Sequence, residues 1–162
     1  MSIQAEGKFT LADVWRGARL ASRRMLVSTT LIGLLLLAAL LFLGIFSPKF
    51  LREQWLLIVL SVFWASYLWI FLLYSSYRTL KKSPNLQGTV RYQFDDSGYR
   101  LEALHTQAEV KWGAMVKWRE GKYTFLFYSN PRIASVIPKR FFQSSADVDA
   151  VRNFLRTHVS RK

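Results

Sequence analysis

Residues 25–46 read MLVSTTLIGLLLLAALLFLGIF, and residues 55–74 read WLLIVLSVFWASYLWIFLLY. Neither stretch contains Asp, Glu, Lys, Arg or His. At ~1.5 Å of rise per helical residue, each is long enough to cross a ~30 Å hydrocarbon core. The pair predicts a transmembrane hairpin. A cleaved signal peptide would have a shorter apolar centre and small residues at its end. Here Ser47-Pro48-Lys49 follows the first run, so that run is expected to stay. Ser61 and Ala65, four apart, and Gly33 and Gly44 offer places where two helices can approach closely. Pumps and channels usually carry ionisable groups at membrane depth. These two helices carry none, which favours an anchor.

Charge orients the hairpin. The chain has 23 Lys and Arg against 10 Asp and Glu, a net +13. Lys8, Arg16, Arg19, Arg23 and Arg24 precede the first run, and Arg78, Lys81 and Lys82 follow the second. The link between them has only Lys49 and Arg52, offset by Glu53. Basic flanks stay in the cytoplasm, so both termini are expected there, with the link outside. Trp55 at one end of the second run, and Tyr74 and Tyr77 at the other, match interfacial aromatic belts. A basic chain suits nucleic acid or an anionic membrane face. The apolar runs turn the choice toward anionic lipids of the inner leaflet and away from nucleic acid.

Three regions follow. Residues 1–24 predict a cytoplasmic amphipathic helix. Thr10 and Asp13 form a capping-box pattern, Leu11, Val14, Trp15 and Ala18 share one face, and Arg16, Arg19 and Arg23 share another. This helix is expected on the membrane surface with Trp15 among the headgroups; packing on the soluble domain is the alternative. Residues 25–77 form the hairpin, and residues 85–162 a small cytoplasmic domain. In that domain Val90, Tyr92 and Phe94 alternate with polar residues, and residues 95–98 (DDSG) make a turn. Residues 99–103, 109–112 and 116–119 alternate likewise. Residues 123–128 are apolar at nearly every position, as in a strand covered on both faces. A last strand runs over 132–137. Ser144 and Ser145 offer a helix cap, and Val148, Val151, Leu155 and Val159 repeat at helical spacing. The expected class is α+β: a transmembrane hairpin, then an antiparallel sheet or open barrel closed by a C-terminal helix.

The pattern Gly88-x-x-x-Tyr92-x-Phe94-x-x-x-Gly98, then Trp112, then Val136-Ile137-Pro138-Lys139-Arg140-Phe141-Phe142 and a closing helix resembles the YcxB-like family. The strand-then-helix order is also similar to pleckstrin-homology-type folds. The resemblance implies a bacterial protein with two membrane helices, in the inner (cytoplasmic) membrane, and no defined reaction. Lipid-binding pleckstrin-homology domains place basic residues in the first hairpin loop. Here that loop is acidic, so Arg132, Lys139 and Arg140 are the candidates for a protein partner or lipid phosphate.

Catalytic readings are thin. Asp95 and Asp96 fit a turn better than an acid–base pair. His105 and His158 have no companions at metal-ligand spacing, and no phosphate loop or nucleophile elbow is present. With no cysteine, thiol chemistry and disulfides are ruled out. The rings of Trp112, Trp118, Tyr123, Phe125 and Phe127 beside Lys111, Lys117 and Arg119 imitate a base-stacking surface, but strand alternation accounts for them as core and solvent faces. The function expected is a non-catalytic, inner-membrane-anchored interaction module without cofactor or metal. The other reading is an immunity-type protein that neutralises a membrane-acting toxin.

Overall fold

A computed structural model describes residues 3–46, 48–131 and 133–159. Its elements are β1 (Ile3–Lys8), α1 (Leu11–Ala21), α2 (Arg23–Phe46), α3 (Pro48–Glu53), α4 (Trp55–Lys82), α5 (Pro84–Gln87), β2 (Thr89–Phe94), β3 (Gly98–Ala103), β4 (Thr106–Lys111), β5 (Lys117–Glu120), β6 (Thr124–Tyr128), β7 (Ala134–Pro138) and α6 (Ser145–His158). They divide into two compact units: residues 22–75, and residues 1–21 together with 76–162.

Among the described residues α2 and α4 are the two helices long and apolar enough to cross a membrane. Leu35, Ile45, Phe46 and Ile70 all point outward with most of their surface exposed. A helix that is apolar all round belongs in lipid or a large core. Of the small residues, Gly33 and Ala65 bring the two helices close. A Cβ placed on Gly33 would lie 2.8 Å from Ala65 Cβ, so only glycine permits this approach. Beside it the Trp69 indole Nε1 donates to Thr30 Oγ1 at 3.0 Å. The Ser61 hydroxyl donates back to the carbonyls of Leu57 and Ile58, which satisfies it without water.

The second unit is built on two antiparallel sheets, one ordered β1-β2-β3-β4 and the other β5-β6-β7. Among the described residues neither sheet closes into a barrel. The predicted β2–β3 turn forms around Asp95, whose Oδ1 accepts from the amides of Ser97 and Gly98 at 2.8 and 2.9 Å. Gly98 is required at the start of β3, because a Cβ there would sit 2.2 Å from the Val110 carbonyl oxygen. The inward faces of both sheets meet in an aromatic core. Phe94 stacks on Trp112 and Phe142 and meets Phe127 edge-on. Val151, Leu155 and Val159 close this core from α6 and the residue after it. Ser144 and Asp147 cap α6 reciprocally.

The N-terminal segment differs from the expected free amphipathic helix. Residues 3–8 are a strand, and β1 pairs with β2 in register from Ile3↔Phe94 to Lys8↔Thr89. Ile3 and Ala5 are buried in the core. Helix α1 does form from the Thr10–Asp13 box, but it packs on β6 and β7. Gly17 makes that contact close: a Cβ on it would lie 2.6 Å from Val136 Cγ2. β6 is therefore covered on both faces, and all five of its residues are buried. Phe125 and Phe127 face the core, while Leu126, also fully buried, lies outside that cluster, on the face α1 covers. The alternative weighed for α1, packing on the soluble domain, is the arrangement seen, and the domain begins at residue 3 rather than 85.

Candidate functional site

The segment Pro138-Lys139-Arg140-Phe141-Phe142 ends β7 and passes through a short 3-10 turn, Lys139–Phe141. Residues 139–142 each engage another part of the unit. Lys139 Nζ meets Glu120 Oε1 at 2.5 Å, and Arg152 on α6 binds the same carboxylate with Nη2 at 2.7 Å and Nε at 3.0 Å. Arg152 also pairs with Asp149. Arg140 takes both Asp13 oxygens, Nη2 to Oδ2 at 2.6 Å and Nε to Oδ1 at 3.1 Å, and donates to the Lys8 carbonyl. Phe141 lies edge-on to Phe9 at 5.2 Å and against Gly7. Phe142 bridges to Ala5.

Lys139 and Arg140, candidates for binding an anionic partner, are thus brought together but committed to internal carboxylates. Burial raises the Asp13 carboxyl; the hydrogen bonds from Arg140 and Thr10 outweigh it, and the net direction is down. At Glu120 the Arg152 hydrogen bonds, opposed by burial and joined by Lys139, pull the carboxyl down to about 2. Carboxylates held in this way keep their charge and their partners. The segment is a clamp that binds β1 and α1 to the rest of the unit. Arg132 lies outside the described residues.

The other quoted motif residues have the same character. Tyr92, Phe94, Trp112, Ile137, Phe141 and Phe142 are all in the core cluster, and the Trp112 indole donates to the Asp95 carbonyl at 2.9 Å. Trp118, Phe125 and Phe127 are core as well. Tyr123 is the exception among the rings that imitate a stacking surface, since it is 45% exposed. Asp95 holds its turn, and the Ser97 hydrogen bonds that hold it lower its carboxyl.

The interface residues expected from the sequence fall at helix ends. Arg23 and Arg24 open α2, Trp55 opens α4, and Tyr74, Tyr77, Arg78, Lys81 and Lys82 occupy the last turns of α4. Trp15 is different: it is half-buried on α1, and its indole N–H is enclosed without an acceptor. A ring set into the unit this way is unsuited to reach headgroups.

A second basic group was missed by reading the sequence alone. Arg16 stacks 4.3 Å over Tyr123, with Lys122 5.3 Å from the same ring. Lys117 and Arg119 lie 4.8 and 5.9 Å from Tyr128, and Arg19 lies 4.9 Å from Trp15. Arg119 Nη1 also reaches the Ala21 carbonyl at 3.5 Å. Among the described residues none of these five cations has a carboxylate within ion-pair distance. Elsewhere on the unit Arg91 meets Glu6 and Glu102, Arg100 meets Glu109, and the clamp residues meet the acids named above. The sequence signal was present as period-two spacing of Lys117 and Arg119, but the convergence of α1 on this hairpin was not.

Residues 94–155 match the family model described as YcxB-like protein. The match runs from the end of β2 into α6 and includes the clamp segment, while β1, α1 and the hairpin lie outside it. No curated protein and no solved structure matches the chain.

Proposed function

With a YcxB-like segment at residues 94–155 as premise, we propose that this protein is a non-catalytic module anchored in the bacterial inner membrane, with its folded domain in the cytoplasm and working there by docking. The observation that carries this reading is the pairing of β1 with β2. These strands flank the hairpin in the chain, yet they share one sheet. If the hairpin spans a membrane, its two flanks must lie on one side. The basic residues on those flanks assign that side to the cytoplasm.

The carboxylates support the non-catalytic part. Asp13 is buried and Glu120 half-buried, and both are bound by Arg or Lys. A general acid or base needs a free position and a pKa near the working pH, whereas these are held below the usual range. The chain has no cysteine, so single cysteines report sidedness cleanly. Glu53→Cys in the link should react with a membrane-impermeant maleimide on intact spheroplasts. Gln143→Cys, exposed after the clamp, should react only after permeabilisation. The reverse labelling would place the domain outside and end this reading.

A further inference from the structure

We infer that the unpaired cations Arg16, Arg19, Lys117, Arg119 and Lys122 form a binding surface for the anionic phospholipid headgroups of the membrane in which the protein itself sits. This rests on the reading above and names the ligand of the docking domain. Three observations carry it. The first is charge. Arg91, Arg100, Lys139, Arg140 and Arg152 meet carboxylates; among the described residues these five, like Arg78, Lys81, Lys82, Lys111 and Arg156, do not, and these five are the ones gathered by α1 and the β5–β6 hairpin. An uncompensated basic face creates a potential that attracts anions.

The second is chemistry. The five cations are spread around exposed Tyr123, half-buried Trp15 and buried Tyr128. Aromatic faces hold the guanidinium and ammonium groups in place by attraction to the ring quadrupole and leave their N–H donors open to phosphate oxygens. Tyrosine also suits the headgroup level.

The third is position. Arg119 touches the carbonyl of Ala21, the last residue of α1. Only Ser22 separates Ala21 from Arg23, where the apolar helix begins. Along the chain, Arg119 and the end of α1 that it touches are thus within a few residues of the start of the apolar helix. Clusters of Lys and Arg immediately cytoplasmic of a span are attracted by acidic lipids. An acidic protein would meet the same charges, but it would have to find this narrow region against lipid already at high local concentration.

The test uses the full chain in nanodiscs, of phosphatidylcholine alone or mixed with phosphatidylglycerol. A dye on Ser129→Cys, exposed directly after β6, is quenched by a lipid carrying a spin label on its headgroup. Quenching should rise in the anionic discs and disappear in about 1 M salt, where the Debye length is ~3 Å. Each cation removed should weaken docking about five-fold, so Lys117→Gln/Arg119→Gln/Lys122→Gln should weaken it on the order of a hundred-fold. Lys117→Arg/Lys122→Arg should keep it, and Arg16→Gln/Lys122→Gln gives an independent loss at Tyr123. Near-UV circular dichroism of each variant checks that the domain is folded. Quenching that ignores lipid charge, or that survives in a folded triple variant, overturns the inference. Both faces of a nanodisc carry the same lipid. A negative result here with cytoplasmic labelling intact therefore removes the lipid surface alone, and outside labelling removes the functional reading alone.

Discussion

Alanine is ordinarily the better residue in the middle of a helix, by ~0.5–1 kcal/mol over glycine. At position 17 the opposite sign is expected. A Cβ there would stand 2.6 and 2.7 Å from the two methyls of Val136, about 1 Å inside normal carbon contact at ~3.5–4.0 Å. Valine is stiff at χ1, and Val136 sits on β7 between backbone hydrogen bonds to β6, so it has nowhere to turn. The helix must lift from the sheet instead. Overpacking of this kind costs about 1–3 kcal/mol, which leaves Gly17→Ala about 1–2 kcal/mol destabilising after the helical gain is subtracted. Val136→Ala makes room. The double variant should therefore be more stable than the sum of the single effects by about 1–2 kcal/mol. The assay is thermal unfolding of full-length protein in mild detergent followed by near-UV circular dichroism. For a domain of this size 1 kcal/mol moves Tm by ~4–8 °C, so the single variant should melt about 4–16 °C lower. A Gly17→Ala protein with raised Tm, or additive single effects, would show that α1 is not seated on the sheet.

Other outcomes follow from the same contacts. Asp13→Asn keeps the shape but loses the charge that Arg140 and the Thr10 cap bind; given the half-exposure of Arg140 it should cost about 2 kcal/mol and speed tryptic cutting after Arg16 and Arg19. Unchanged cutting would mean the clamp does not hold α1. The Glu120 carboxyl lies lower in the folded protein than in the unfolded chain, at about 2 against 4.5. Its contribution is thus full above pH 4.5 and is lost as pH falls from there toward 2, on the order of 3 kcal/mol. An acid titration of wild type should show this loss, and Glu120→Gln should flatten it. Gly98→Ala should cost at least about 3 kcal/mol, since the Cβ would strike rigid backbone. Gly113→Ala, where nothing lies within 4 Å, should stay within about 0.5 kcal/mol of wild type; equal effects in urea melts would contradict both.

The hairpin and most of the strands were legible because their signals are local. Twenty apolar residues, period-two alternation and capping boxes each depend on neighbours a few positions apart. β1 was illegible for a physical reason. Its inward side chains are only Ile3, Ala5 and Gly7, and its outward ones are Gln4, Glu6 and Lys8. That is too little apolar contrast to show a strand, and it becomes one by pairing with β2 across the hairpin. The amphipathic pattern of α1 was correct in itself. Which apolar surface it would meet, lipid or sheet, is decided by Gly17 and Val136, which are far apart in sequence. The pairing of two candidate site residues was illegible for a related reason. Lys139 and Arg140 look like an exposed basic pair until Glu120, Asp13 and Arg152 are folded onto them. The five cations around Trp15, Tyr123 and Tyr128 acquire their meaning from what does not neutralise them.

The central claim is that the hairpin is inserted into one folded domain, so that strands on either side of it are sheet neighbours. Gln4 and Gln93 are directly opposite in the β1–β2 register, and the chain contains no other thiol to confuse the result. Gln4→Cys/Gln93→Cys, with a protease site placed in the link between the spans, should be oxidised in native membranes and then cut. The account predicts that the two fragments stay joined until a reductant is added, while Gln4→Cys/Gln107→Cys, with its second thiol on β4, gives separate fragments. If the first pair also falls apart after oxidation, β1 does not join the sheet across the membrane hairpin and the account is wrong.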